Sequence, residues 1–233
     1  MPPRSRNSPP ASPAPAPLVP TTTINLTAAG SPAATAHLNA MLSALQDALR
    51  LPPVWNDGMR QTLDRAFTAY DAYIETVVTA HPMSCAAGCT ACCHDNPRGI
   101  TGIELKRLHE AVISAPGGGS VMAGFARLAA NVMTRSEAAT PDATATAWRR
   151  RREPCPCLQD GKCRAYSARP VACRAFHAVT PAAWCDPDDA NFAARVNPHL
   201  DPPAVLLQAM RVLSARLGFT DAADLHRGMA RLT

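Results

Sequence analysis

Nine cysteines carry the clearest chemical potential in this sequence, and all of them lie between Cys85 and Cys185. The first four fall within nine residues, Cys85-Ala86-Ala87-Gly88-Cys89-Thr90-Ala91-Cys92-Cys93. The other five are Cys155, Cys157, Cys163, Cys173 and Cys185. Four kinds of chemistry compete for such a set. A disulfide framework needs an oxidising compartment. The N-terminus has Arg4 and Arg6 but no apolar core of secretory type, so a cytoplasmic setting is expected. Neighbouring cysteines such as Cys92 and Cys93 also bridge each other only with strain. A thiol redox centre has a foothold in Cys89-Thr90-Ala91-Cys92, a Cys-X-X-Cys, yet the strand–motif–helix context is missing. Core packing explains a lone cysteine well and a cluster poorly. Metal binding needs several thiolates converging at about 2.3 Å from an ion, and this is the reading the clustering favours.

Two local geometries bring the first four sulfurs to one side. As a helix, with about 100° per residue, Cys85, Cys89, Cys92 and Cys93 share a stripe. As a loop, Gly88 supplies the tight turn. In the second segment, Pro154-Cys155-Pro156-Cys157-Leu158-Gln159-Asp160-Gly161-Lys162-Cys163, the Asp-Gly pair predicts a tight hairpin. That hairpin returns Cys163 towards Cys155 or Cys157.

The combined spacing resembles the CxxCxxCC or YkgJ-type cysteine-cluster family, a zinc- or iron-chelating domain. That family follows its cluster with a variable helical stretch, a Pro-Cys-Pro-like segment, a further Cys, an Arg-Pro pair and another Cys. Here these are Pro154-Cys155-Pro156, Cys163, Arg169-Pro170 and Cys173, with Cys185 as a late cysteine. The resemblance covers residues 85–185 and neither tail. It implies eight metal ligands: Cys85, Cys89, Cys92, Cys93, Cys155, Cys163, Cys173 and Cys185. They would form two four-cysteine sites or one polynuclear site. The cofactor implied is zinc or iron, the latter including an iron–sulfur cluster; soft thiolates suit both. Cys157 stands where the family has an apolar residue, so it reads as a core thiol or a spare ligand. His94 and His177 follow cysteines and read as supporting or surface groups. Arg169 and Arg174 read as offsets to thiolate charge, and Tyr166 and Phe176 as packing over the site. A related flagellin lysine N-methylase has a similar cluster, which keeps open an iron–sulfur-dependent enzyme, redox or protein lysine methyl-transferring.

The elements that must hold these segments read as helices. Ser31-Pro32 caps a first helix with Leu38, Met41, Leu42, Leu45 and Leu49 on one stripe, ended by Pro52-Pro53. Asn56-Asp57 caps a second, with Met59, Leu63, Phe67, Tyr70, Ile74 and Val77 inward, stopping near His81-Pro82. Thr101 and Glu104 form a capping box, with Ile100 stapled to Leu105, for a helix burying Leu105, Leu108 and Val112. A fourth helix is expected from Ser120, with Val121, Phe125, Leu128 and Val132 inward, followed by a polar loop over 135–147. Asp201-Pro202 is expected to cap a helix carrying Val205, Leu206, Met210, Val212 and Leu213, ended by Gly218 and Phe219. Thr220 and Asp221 are expected to open a last short helix with Leu225, Met229 and Leu232.

The expected fold is therefore mainly α: helices around two irregular cysteine-rich metal-binding segments, with one small β-hairpin. Residues 1–30 read as a disordered Pro/Ala-rich tail. Residues 31–233 read as a single helical domain with its metal-binding core at 85–185. The net charge of +5 comes almost wholly from arginine and does not by itself imply nucleic acid. Arg149-Arg150-Arg151-Arg152 is a short run without aromatic interleaving beyond Trp148; it reads as a solvated edge and charge compensation rather than a nucleic-acid surface. No stretch approaches the roughly 20 apolar residues of a spanning helix. The expected partner is the metal ion, with any protein partner unspecified.

Overall fold

The structure, a computed structural model, describes residues 30–81, 83–86, 88–133, 148–195 and 200–233. The tail expected before residue 30 and the loop expected over 135–147 lie outside these residues.

Helices α1 (Pro32–Arg50) and α2 (Asp57–Ala80) form a hairpin. Their starts follow from capping: Ser31 Oγ accepts the Ala34 N–H at 3.2 Å, and Asn56 Oδ1 accepts the Met59 N–H at 3.0 Å. Each satisfies a donor that has no partner inside its helix. The α2 stripe is buried along its whole length, Met59 through Val77. On α1, Met41 and Leu45 are buried while Leu38, Leu42 and Leu49 are half-buried at the edge. Helix α2 stops where His81 turns extended ahead of Pro82.

Helix α3 (Gly102–Ile113) has the capping box the sequence predicts. The Glu104 carboxylate accepts from the Thr101 N–H at 2.8 Å and from its hydroxyl at 2.6 Å. Helix α4 spans Gly118–Met133, so it begins earlier than the expected Ser120. The chain reverses at Gly117, and the Gly117 carbonyl accepts from both Ser120 and Val121, which lets the helix restart within the glycine run. Val121, Phe125 and Leu128 are buried as expected; the Val132 side chain lies outside the description.

Short elements follow. Strands β1 (Arg98–Ile100), β2 (Leu158–Gln159) and β3 (Lys162–Cys163) precede helix α5 (Val171–Ala175), helix α6 (Ala204–Arg216), strand β4 (Ala222–Asp224) and helix α7 (Leu225–Ala230). Helix α6 starts after Pro203 rather than at an Asp201 cap. Of its expected face, Leu206, Met210 and Leu213 are buried, but Val205 and Val212 are exposed. A helix against one neighbouring surface buries only its narrow stripe, and those two valines flank it. At its C-terminus, Gly218 donates to Ala215 O and Phe219 to Ser214 O, as expected for a glycine-closed helix. The last helix does not open at Thr220 and Asp221. Asp221 instead accepts the Gly102 N–H at 2.7 Å, and residues after it pair as β4 with β1, antiparallel, Ile100 opposite Ala222 and Arg98 opposite Asp224. Asp224 then caps α7 by accepting from the Arg227 N–H at 3.0 Å.

Two apolar clusters result. One joins α1, α2 and α6 with Ile103, Val171 and Leu200; the other joins α3, α4, β4 and α7 and includes Cys157. The mainly α fold with a small hairpin matches the expectation. Among the described residues no helix is long and apolar enough to cross a membrane.

Candidate metal centre

The first cysteine segment runs across the surface left between these clusters. Ser84 N–H donates to Ala178 O at 2.7 Å, and Ala178 N–H returns a bond to Cys85 Sγ at 3.2 Å. Cys85 is thereby clamped to the chain just beyond α5. Gly88 has φ +88°, a left-handed value that glycine adopts without steric cost, and it turns the chain. Cys92 and Cys93 then lie in a single 3-10 turn, Ala91–His94, closed by Cys93 N–H to Thr90 O at 2.8 Å. The segment is thus the glycine-turned loop and not the helical stripe.

The second segment docks directly on the first. Cys155 N–H donates to Cys93 O at 2.7 Å. Beyond it, β2 and β3 form the expected hairpin, with Asp160 at φ +50° and Gly161 at φ +71°, the pattern of a type I′ turn. Leu158 stands opposite Cys163, and Arg164 N–H reaches Cys157 O at 2.8 Å. Cys173 lies in α5, whose first N–H, from Val171, donates to Glu104 Oε1 at 2.6 Å. One buried carboxylate therefore caps α3 and anchors the Cys173 helix. Cys185 ends the 3-10 turn Ala182–Cys185, which packs on the turn carrying Cys92 and Cys93.

Every cysteine except Cys185 lines one cavity of about 1950 Å³; Cys185 is itself buried. All nine are free thiols. Among the described residues, no three His, Cys, Asp or Glu side chains already stand as a closed set of metal ligands. The thiols nevertheless feel one another. Burial pushes up Cys85, Cys163, Cys173 and Cys185, and neighbouring thiolates push each further. Cys92 is raised by its hydrogen bond with Cys93 and then by burial. Cys155 and Cys157 share a proton: the bond between them raises Cys157 and lowers Cys155. Arg169 opposes the rise at Cys92, Cys163 and Cys173, and Arg149 opposes it at Cys185. The raised thiols thus favour the neutral form, and a bound cation would reverse that balance.

The supporting residues sort differently from the sequence reading. His94 Nδ1 is paired with Thr90 O at 3.1 Å, and His177 Nε2 with Arg174 O at 3.0 Å. Arg169 faces the thiols and stacks on Tyr166, its guanidinium 3.6 Å from the ring centroid. Tyr166 is 63% exposed, so it is a stacking platform at the cavity rim and not a cover over the site. Arg174 is buried and bound to Asp71, Arg169 O and Ser167 O, so it braces the scaffold instead of meeting thiols. Cys157 is 2% exposed and sits in the second apolar cluster, as a core thiol touching the site. The arginine run divides: Arg149 is buried and pairs with Asp95, and Arg152 pairs with Asp186 and Asp188. Sequence reasoning missed Asp95 and the bridging bond of Glu104 to Val171, because both depend on partners far along the chain. No family model, curated protein or solved structure matches the chain.

Proposed function

We propose that the chain binds a soft metal ion, zinc or iron, through thiolates from both cysteine segments, and that the helices exist to dock those segments. The observation that carries this reading is the direct docking of Cys155 on Cys93, with Cys157 and all the ligands named below except Cys185 around one cavity. The donor set fits the ion: many thiols, free of disulfides, drawn from both segments. The spacing shared with the CxxCxxCC, YkgJ-type cluster supports it, with Cys85, Cys89, Cys92, Cys93, Cys155, Cys163, Cys173 and Cys185 as the ligands. A bound ion would hold these thiols as thiolates and tie the two segments together.

Metal analysis with a visible spectrum, on protein purified without oxygen, tests this. Iron with inorganic sulfide and a reducible brown absorption assigns an iron–sulfur centre; colourless protein with zinc assigns a zinc site. Cys92→Ser with Cys163→Ser is expected to lose bound metal, and full metal occupancy in that double variant overturns the proposal. A second reading is an iron–sulfur-dependent enzyme of redox or protein lysine methyl-transfer type, for which the cavity of about 1950 Å³ beside the thiols leaves room for a substrate. Binding of an added small ligand to a coloured centre separates this reading from a closed structural site.

A further inference from the structure

We infer that Arg149 is a positioning residue for the thiolates of this centre, with its guanidinium held by Asp95 at the cysteine-lined cavity. The inference rests on the metal-binding reading above. Arg149 is 4% exposed, and burying a guanidinium is costly unless its charge and its donors are met. Asp95 meets part of that need, taking Nε and Nη2 in a two-pronged pair. The faces of Phe176 and Phe192 lie 5.2 and 6.0 Å from the guanidinium carbon and keep water away. The third nitrogen, Nη1, is buried with no hydrogen-bond partner among the described residues. Cys185 and Cys92 are the thiols whose charge acts on this guanidinium. Arg149 also lines the cavity.

An orphaned guanidinium donor on a cavity lined by thiols has a natural complement in a sulfur carrying negative charge. Neutral thiols supply only a weak acceptor, whereas metal-bound thiolates supply a strong one. Asp95 sits directly after Cys92-Cys93-His94, so its carboxylate sets the angle at which Arg149 meets the turn carrying two of the ligands. Groups that donate to metal ligands in this way orient them and tune the ion. Asp95 thus holds the guanidinium that Arg149 presents at the cysteine-lined cavity.

The test is competition for Zn²⁺ between a chromophoric chelator and the full chain, with circular dichroism as a check on folding. Arg149→Met is expected to weaken Zn²⁺ binding by about 10- to 100-fold. Arg149→Lys, which keeps the charge and loses the fork, is expected to recover part of that loss. Asp95→Asn leaves Arg149 in the chain but weakens the pair that places it, so a smaller loss than in Arg149→Met is expected. Equal affinity in Arg149→Met and the unaltered chain overturns the inference. An equal loss in Arg149→Met and Asp95→Asn also overturns it, because the pair is then only a structural clamp. If Arg149→Met does not fold, Arg149→Lys decides: an affinity equal to that of the unaltered chain overturns the inference. Failure of the unaltered chain to take Zn²⁺ or any other metal removes the metal reading itself and is distinct from either result.

Discussion

In the bundle of α1, α2 and α6, what leaves water is apolar: Met41, Leu45, Met59, Leu63, Leu206, Met210 and Leu213 are buried together. In the two cysteine segments, what leaves water is a set of thiols, a paired arginine and short turns closed by backbone bonds. The bundle holds itself by removing hydrocarbon from water, worth about 25 cal/mol per Å². The cysteine segments have no comparable stripe of their own. They are attached to the helices at a few named bonds and by the packing of Cys157, Ala165 and Ala168 in the second apolar cluster, and the Arg149 Nη1 donor is left without a partner among the described residues. The bundle is complete as folded, while the cysteine half has an electrostatic need. That difference is the basis of the metal-binding proposal.

The largest expected effect tests the bundle alone. Leu63→Ala removes a fully buried side chain far from the thiols and is expected to cost about 3–4 kcal/mol of unfolding free energy. Denaturant unfolding should show the loss, while the metal bound per folded chain stays unchanged. A fall in stoichiometry would mean that the two halves are one packing unit and would break the comparison.

Glu104 is the bond between the halves, and its removal should affect both. In Glu104→Ala the Val171 N–H, the Thr101 N–H and the Thr101 hydroxyl all lose their acceptor. A buried donor left unpaired costs about 1–3 kcal/mol, but water and local relaxation recover part, so a net loss of about 2–3 kcal/mol is expected. Burial also pushes the Glu104 carboxyl up, which makes Glu104→Gln the milder change. Unlike Leu63→Ala, Glu104→Ala should also weaken metal binding, through the displaced helix of Cys173. Stability loss without any change in metal affinity would show that Cys173 needs no such anchor.

How much of this the sequence disclosed follows the same division. Helix starts were legible because a capping side chain and the donor it meets are three residues apart: Ser31 with Ala34, Asn56 with Met59, Thr101 with Glu104. The Asp160-Gly161 hairpin was legible because its two left-handed residues are adjacent. Pairing of β1 with β4 was not legible, since each strand is three residues long and the partners are separated by most of the chain. For the same reason Asp221 was read as opening a helix when it serves Gly102. In the site, the thiols and their hairpin could be read locally. The separate fates of Arg149, Arg169 and Arg174 could not, because a guanidinium's role is set by whichever carboxylate or ring the fold brings beside it.

The smallest expected effect is one of pH, and it bears on the seam rather than on either half. His226 is fully buried beside the rings of Phe125 and Trp148, and its two ring nitrogens have no partner among the described residues. Burial pushes its pKa down to about 4, although Asp224 and Glu153 nearby pull it up. In the unfolded chain the same imidazole takes its proton near pH 6.5. Between those values the unfolded state binds a proton that the folded state refuses, so stability falls as pH falls from about 6.5 towards 4. By pH 5 the loss is about 2 kcal/mol. His109 and His177 are lowered by burial too and contribute to the same slope, so the measurement is the difference between the unaltered chain and His226→Phe. Asp224 does not confound it, because its carboxyl is held below the ordinary range and titrates at lower pH. The backbone N–H of His226 also donates to Asn96 Oδ1 at 3.2 Å, directly beyond the first cysteine turn. If this seam couples α7 to the metal centre, acidification towards pH 5 should speed metal loss in the unaltered chain more than in His226→Phe. Identical rates in both would confine the effect of His226 to the apolar cluster it sits in.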